Sequence, residues 1–342
     1  MDKEPDIEIL PAEEVPFVRE IDEGDLSSYE EKVILQIATH TVRPSFVSRA
    51  LEMAGKPIEK VLEAAATSNI KPIQIASQLV HTAVDKALRA SLLAASRIST
   101  DQVIAKEAKR SGLSIRNVDD LRTCSLQDLD RLADRFDRGN SIVLGAEGAL
   151  MGAATSLAEG IPGAQVLIPS LIATDVAASM TLLSKHAGQV ASCYGYSPRV
   201  PANRFHIIAS MAPQSESPDE GYFTAKAAAL ETILEASAFV GSRSARMMNR
   251  KLMEKESPRL VRLISYVSRR LGIILTEKEL GMLVPLAGAV LNGGLNVAFQ
   301  KVGHSSAKDY FRLMYLEEKY GMERIRTILD QAIVLKKKKF LS

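Results

Sequence analysis

The sequence predicts an all-α protein, and three observations carry this prediction. Apolar residues recur near the 3.6-residue period of an α-helix in several segments, as from Leu126 to Phe136. Alternating apolar and polar residues between turn pairs, the pattern of a half-buried strand, are scarce. Aromatic residues make up only 5% of the chain and tryptophan is absent, so small and aliphatic side chains must fill the core. We expect a compact multi-helix domain.

Helix starts are predicted where a hydroxyl residue precedes an acid or an amide by three positions. In this capping box the two side chains satisfy backbone N–H groups that the first helical turn leaves free. Five such pairs are taken as predicted helix starts: Ser28 with Glu31, Ser99 with Gln102, Ser125 with Asp128, Thr276 with Glu279 and Ser306 with Asp309. Each is expected to begin a helix.

Length and composition exclude several classes of protein. With 342 residues, 46% hydrophobic, 25% charged and a net charge of +2, the chain is neither largely disordered nor collagenous. The two cysteines, Cys124 and Cys193, are far apart and show no metal-ligand spacing, as expected for a reduced protein. The first residues are acidic and broken by proline, unlike a secretion signal. We therefore expect a cytoplasmic protein.

Charge and turn residues predict the domain organisation. Residues 1–27, most of which belong to a strongly acidic stretch, are expected to form a disordered arm. Residues 28–330 are predicted to be a single helical domain whose lobes, 28–211 and 222–330, meet at the Pro- and Ser-rich loop between them. Residues 331–342, with four consecutive lysines, are predicted to be a basic tail.

A basic stretch is the candidate surface for an anionic lipid. From Arg243 to Arg270 nine basic residues stand against two acids. Its predicted lipid- or anion-binding residues are Arg243, Arg246, Arg250, Lys251, Arg259 and Arg262. The alternatives are a solvated helix face or a docking surface for the acidic arm. Because Tyr266 is the only interleaved aromatic residue, the stretch does not predict nucleic-acid binding.

Two segments depart from ordinary amphipathic helices. Gly145, Gly148 and Gly152 share one helix face, where a neighbouring helix can approach closely. The segment 280–300 is uncharged over 21 residues, long enough to span a bilayer, although Pro285 and the glycine pair at 293–294 are expected to interrupt it. We expect two Gly-rich apolar helical hairpins in the core. Shallow insertion into a membrane and a true span are the alternatives.

Three runs resemble the EcsC protein family of bacteria. They are GAEGALMGAAT from Gly145, ATDVAASMTLLSKHAGQVASCYGYSPRVPANR from Ala173 and VPLAGAVLNGGLNVAFQKVGHSSAKDYFRLMYLEEKYG from Val284. The family positions carried over are Glu147, Gly148, Asp175, Tyr194, Gly195, Tyr196, Pro201, Arg204, Pro285, Gly288, Asn296, Ala307, Arg312, Lys319 and Tyr320. The resemblance places Asp175 at a helix start, where this chain has Ala177 instead of the family's proline.

The resemblance implies an accessory role beside a transporter, because the family is named for a protein encoded next to an ABC transporter. The hydrolase and ATPase motifs HExxH, GxSxG and GxxxxGK[ST] do not occur in the sequence. The chain is thus predicted to be non-enzymatic, with no cofactor and no metal. Its expected partner is the inner surface of the cell membrane or an ABC transporter component, and its oligomeric state is left open.

Polar residues in apolar surroundings form the predicted binding site. It comprises Glu147, Asp175, Tyr194, Arg204, Asn292, Asn296 and Arg312. The carboxylate of Glu147 is expected to pair with Arg204 or Arg312, and the two asparagines to bridge helices. Tyr194 is predicted to pack at a turn that Gly195 makes after a helix.

The alternative function is a hydrolase or a metal-dependent enzyme. Its catalytic candidates are Glu147 and Asp175 with His186 or His206, or with His304 as partner. No HExxH or ExxH spacing connects them.

Overall fold

The structure of the protein, a computed structural model, describes residues 24–42, 71–94, 101–137, 168–212, 221–240, 257–282 and 288–341. Every regular element in these ranges is a helix, which confirms the all-α prediction. Several predicted features lie outside them: the arm up to residue 23, the glycine segment that holds Glu147, and the basic residues 243–251.

The helices, numbered in chain order, are α1 (Ser28–Val42), α2 (Lys71–Ala94), α3 (Asp101–Arg110), α4 (126–137), α5 (Ile168–Cys193), α6 (Pro201–Ser210), α7 (Tyr222–Val240), α8 (Pro258–Met282), α9 (Gly288–Tyr320) and α10 (Met322–Leu341). A short 3-10 helix, Asp119–Thr123, precedes α4.

Of the predicted helix starts within the described residues, one forms where predicted and another is displaced by one residue. Ser125 accepts the backbone N–H of Asp128 at 3.2 Å and donates its hydroxyl to that carboxylate at 2.6 Å, which confirms the predicted start of α4. At α1 the box lies one residue earlier than predicted and joins Ser27 to Glu30. Thr276 and Ser306 lie inside α8 and α9, so the starts predicted there are wrong. Ser99 lies outside the described residues.

Helix α5 ends at a glycine, as predicted. Gly195 has a φ of +85°, and the N–H of Tyr196 donates to the carbonyl of Ala191 at 2.9 Å. These are the marks of a Schellman C-cap, in which the residue after the helix takes the left-handed conformation.

The helices share one hydrophobic core across the predicted loop at residues 212–221. Before the loop, α2 packs on α5; after it, α7 packs on α8; and α2 with α8, α1 with α10 and α5 with α9 pack across it. Helix α10 runs on to Leu341, so the boundary predicted at residue 330 falls within a helix. The two predicted lobes therefore bury their apolar faces against each other.

The uncharged segment 280–300 is divided between two helices, α8 and α9, which pack on each other on either side of Pro285. Gly293 and Gly294 lie inside α9, so the interruption expected there is wrong. Among the described helices, none combines the length and the apolar character that crossing a membrane requires.

Helix α9 is the central element of the described core. Residues 306–317 are buried at every position, so both the apolar and the polar faces of the helix are enclosed by protein. Buried polar groups need partners, and α9 contains several charged side chains in this stretch. Its polar face therefore locates the first candidate site.

Candidate functional site

An antiparallel ladder of acidic and basic side chains joins α4 to α9. Helix α4 carries Asp130, Asp134 and Asp137, whose spacing of four and three residues puts them on one helix face. Helix α9 meets them in reverse order with Arg312, Lys308 and His304. The ladder changes character along its length, from a buried arginine–carboxylate pair at one end to a pair of histidines at the other.

The arginine end of the ladder is a closed hydrogen-bond network. Arg312 donates through Nη2 and Nε to the two oxygens of Asp130 at 2.7 and 2.9 Å, and both side chains are at most 5% exposed. Tyr29 and Tyr194 donate their hydroxyls to the same carboxylate. Burial and the adjacent carboxylate raise the pKa of Tyr194 well above its ordinary value. A network with this many internal bonds stabilises the fold and leaves little room for a ligand.

The histidine end has a different arrangement. His186 of α5 places Nε2 2.8 Å from Nδ1 of His304, and Nε2 of His304 lies 3.3 Å from the carboxylate of Asp134. Lys308 donates to the same Asp134 oxygen at 2.5 Å, and an oxygen of Asp137 lies 3.9 Å from His304 Nδ1. We call Asp134, Asp137, His186 and His304 the histidine cluster.

Burial and hydrogen bonds set the protonation of His186 and Asp134, two members of the histidine cluster. Burial lowers the pKa of His186 to about 3, and the neighbouring imidazole of His304 adds to this effect. The pKa of Asp134 is lowered to about 2, against a burial effect of opposite sign, because His304 and Lys308 hydrogen-bond to its carboxylate. His186 is therefore a neutral ring and Asp134 a carboxylate at neutral pH.

A second candidate site is a cleft between α2, α5 and α6. Its volume is about 510 Å³, within the range of roughly 300–1,000 Å³ typical of small-molecule sites. Its walls are mostly apolar or small: Ala83, Ala87, Ala90, Leu92, Ala173, Ala177, Gly188, Pro198, Ile207, Ile208 and Met211. Apolar and small residues outnumber polar ones along these walls, which is the composition expected for a site that holds an apolar chain.

Three cations line the same cleft. Lys86 of α2 and Lys185 of α5 are exposed, whereas Arg204 of α6 is 7% exposed. Arg204 donates through Nε to the carbonyl of Pro198 at 2.8 Å and through Nη2 to that of Arg199 at 3.4 Å. Burial lowers the pKa of Arg204. Within the described residues, none of the three cations forms an ion pair with a carboxylate.

The predicted site residues are not brought together as one group. Arg312 and Tyr194 meet at Asp130, whereas Arg204 lines the cleft. Asp175 is buried well inside α5, so its predicted place at a helix start is wrong. The pairing of Glu147 with an arginine stays a prediction, because Glu147 lies outside the described residues.

The remaining predicted residues fall elsewhere in the fold. His206 is buried and places Nδ1 2.8 Å from the hydroxyl of Tyr310. Asn292 and Asn296 lie four residues apart in α9, and their bridging role stays a prediction. The predicted anion-binding residues Arg259 and Arg262 both lie near Glu231: Arg259 donates to its backbone carbonyl at 3.2 Å, and Arg262 is 3.7 Å from its carboxylate.

Sequence reasoning missed the acidic face of α4. The signal was present, because Asp130, Asp134 and Asp137 share a helix face and His304, Lys308 and Arg312 recur every four residues. Each set alone looks like a solvated helix face. Only the packing of α4 on α9 shows that Arg312 pairs with Asp130 and Lys308 with Asp134.

Comparison with known proteins gives one family. The model of the EcsC protein family matches residues 39–316, more than three quarters of the chain. No curated protein and no solved structure matches the chain significantly.

Proposed function

Because this chain belongs to the EcsC protein family, which identifies no reaction by itself, we propose its function from the site: binding of a single-chain anionic lipid at a membrane surface. The acyl chain lies in the cleft between α2, α5 and α6, and the anionic head group meets the cations there. The proposal rests on one observation, an apolar cleft lined by three cations that have no carboxylate partner among the described residues.

The apolar walls favour an acyl chain over a polar metabolite. Most of the lining side chains carry no hydrogen-bonding group, so a polar ligand would lose its bonds to water without replacement. A hydrocarbon chain has no hydrogen bonds to water to give up, and it gains about 0.8 kcal/mol for each methylene group removed from water. The cleft is partly open, so a chain can enter it.

The cations favour a carboxylate or phosphate head group. Two of the five N–H donors of Arg204 are hydrogen-bonded to backbone carbonyls, and the other donors can bind an anion. A buried guanidinium without a carboxylate is costly, and an anionic ligand would remove that cost. Lys86 and Lys185 add two exposed positive charges along the same walls.

Exposed side chains on α10 favour a membrane surface as the source of the lipid. On α10, Val334 and Leu335 are 52% and 63% exposed and immediately precede the lysines at 336–339. Apolar side chains next to basic ones suit the boundary of an anionic bilayer, where each lysine contributes about 1 kcal/mol. These features support the membrane surface, rather than a transporter subunit, as the partner.

The test of the cleft is equilibrium binding of a fluorescent long-chain fatty acid. Gly188→Leu should weaken binding at least tenfold, because Gly188 lines the cleft and an added Cβ there meets no atom within 4 Å. Lys86→Glu with Lys185→Glu should also weaken it. The matched controls are Ala227→Leu on the exposed side of α7, and Lys106→Glu with Lys109→Glu on exposed α3 positions. Equal affinities in the cleft variants and their controls would reject the proposed lipid site.

The membrane part is tested separately by flotation of the protein with vesicles. We expect co-flotation with vesicles that contain phosphatidylglycerol, weakening as salt is raised, and little with pure phosphatidylcholine. Recovery of all the protein in the soluble fraction with both vesicle types at low salt would rule out the surface association.

A further inference from the structure

We propose that Asp137, His186 and His304 form a binding site for a divalent transition-metal ion of the zinc class. The ligand atoms are Nε2 of His186, Nδ1 of His304 and an oxygen of Asp137, contributed by the helices α5, α9 and α4. This site lies on the polar side of α9 and is independent of the lipid-binding function proposed for the cleft.

The positions of the three atoms suit a single ion. All three lie within 4.8 Å of one another, with 2.8 Å between the two ring nitrogens and 3.9 Å from His304 Nδ1 to the Asp137 oxygen. Zinc bonds of about 2.0–2.1 Å in a tetrahedron separate ligand atoms by about 3.4 Å. Binding therefore requires side-chain rotations. These move the two ring nitrogens slightly apart and bring the Asp137 oxygen closer to His304.

Asp134 fixes the ring of His304 in the form that binds a metal. Its carboxylate lies 3.3 Å from Nε2 of His304 and can only accept a hydrogen bond, so Nε2 carries the proton. In the neutral ring, Nδ1 is then the nitrogen without a proton, and it faces His186 and Asp137. Carboxylate–histidine–metal arrangements of this kind are general at zinc sites, where the outer carboxylate orients the ligand ring.

The Asp137 oxygen supplies a second, independent observation. It is buried and has no hydrogen-bond partner among the described residues. A carboxylate oxygen that gives up water without a donor costs stability, and a bound cation would remove the cost. A hydrogen bond between the two histidines explains their approach without a metal, but it leaves this oxygen without a partner.

The donor types select the class of metal. Two imidazoles and one carboxylate suit zinc, iron, cobalt or nickel, whereas magnesium and calcium prefer sites made of oxygen alone. Three protein ligands leave one position of a tetrahedron for water or another small ligand. Lys308 already bonds to Asp134 and serves to hold that carboxylate in place.

The test uses the full chain after removal of metal with a chelator. Calorimetric titration should show one Zn²⁺ per chain, and Co²⁺ should give the visible absorption of a tetrahedral ion. Asp137→Asn and His186→Gln should each weaken Zn²⁺ binding at least tenfold and abolish the cobalt spectrum. Asp134→Asn should weaken binding about 10- to 100-fold, as expected when the carboxylate behind a histidine ligand is removed.

The control variant is His81→Asn on α2, which removes a histidine outside the cluster and should leave stoichiometry and affinity unchanged. Circular dichroism of each variant shows whether it folds. Asp137→Asn is close to isosteric, so it remains informative if His186→Gln unfolds the chain. Failure of the wild-type chain to bind stoichiometric Zn²⁺, or unchanged binding in a folded Asp137→Asn variant, would overturn the proposal.

Discussion

Gly195 shows how a single residue joins two parts of the fold. Its φ of +85° is the left-handed conformation, and a Cβ built there would lie 2.5 Å from Cγ of Arg122 and 3.1 Å from its backbone nitrogen. Arg122 cannot withdraw easily, because Nε donates to the Gly195 carbonyl at 3.0 Å and the guanidinium lies 4.3 Å from the centre of the Tyr196 ring. The glycine therefore has two roles: it ends α5 in the left-handed conformation, and it lets the 3-10 helix that holds Arg122 pack closely against this turn.

The substitution Gly195→Ala separates these two roles when it is compared with Gly112→Ala. Gly112 has the same φ of +85°, but an added Cβ there meets nothing within 4 Å. Gly112→Ala should lower the free energy of unfolding by about 1–2 kcal/mol through backbone strain alone. Gly195→Ala should lower it by about 1–3 kcal/mol more, because the methyl group also clashes with Arg122. Urea denaturation measures both, and equal losses would mean that the contact is unimportant.

At the scale of helices, the close approach of α5 and α9 depends on Gly303. A Cβ at this position would lie 2.1 Å from Cδ1 of Leu183, a fully buried side chain of α5. The helices therefore pack through a glycine one residue before His304, and the contact brings the two histidines within hydrogen-bonding distance. The sequence predicted glycine-mediated helix packing at Gly145, Gly148 and Gly152, which lie outside the described residues; the described example is elsewhere.

Gly303→Ala tests this packing, with Gly188→Ala as its matched control on the facing helix. Both substitutions remove a flexible glycine from a helix interior, which alone should stabilise the protein by about 1 kcal/mol. Gly188→Ala has free space around the new methyl group and should show that gain. Gly303→Ala should unfold at lower urea concentration, about 1–3 kcal/mol less stable than the control, because it overpacks the α5–α9 contact. The prediction is wrong if the two variants unfold at the same midpoint.

For the molecule as a whole, buried ionisable groups make stability depend on pH. Burial lowers the pKa of His206 to about 3 from its ordinary value of 6.5, and the positive charge of Lys226 adds to this effect. The folded state thus keeps the ring neutral while the unfolded chain binds a proton below pH 6.5. The stability that His206 contributes is fully present above pH 6.5 and is lost progressively as the pH falls toward 3.

The variant His206→Asn isolates this contribution. Wild type should lose stability faster than the variant between pH 6 and pH 4, by about 1.4 kcal/mol per pH unit, which corresponds to one proton. Urea denaturation at pH 4, 5, 6 and 7 gives the two slopes. The variant itself should be less stable at pH 7, since it loses the contact with Tyr310, so only the difference in slope is diagnostic. Parallel curves would show that His206 titrates normally in the folded protein.

Capping pairs illustrate why sequence predicted some elements and not others. The pair at Ser125 begins α4, whereas the same spacing at Thr276 and Ser306 falls inside longer helices. A hydroxyl followed by an acid is compatible with both situations, and burial of the surrounding helix decides between them. The sequence did not predict the buried position of Asp130 for a related reason, because an acid on an amphipathic helix ordinarily faces water.

The sequence by itself determined the helical class, the family and the glycine that ends α5, because periodicity, turn geometry and motifs are local properties of a chain. Only the tertiary structure decided that Arg312 neutralises Asp130, that two histidines from different helices meet beside Asp137, and that α2, α5 and α6 enclose a cleft. These features arise between residues up to 182 positions apart. No local pattern predicts contacts between residues so far apart in sequence, because these contacts form only when the helices pack their apolar faces together.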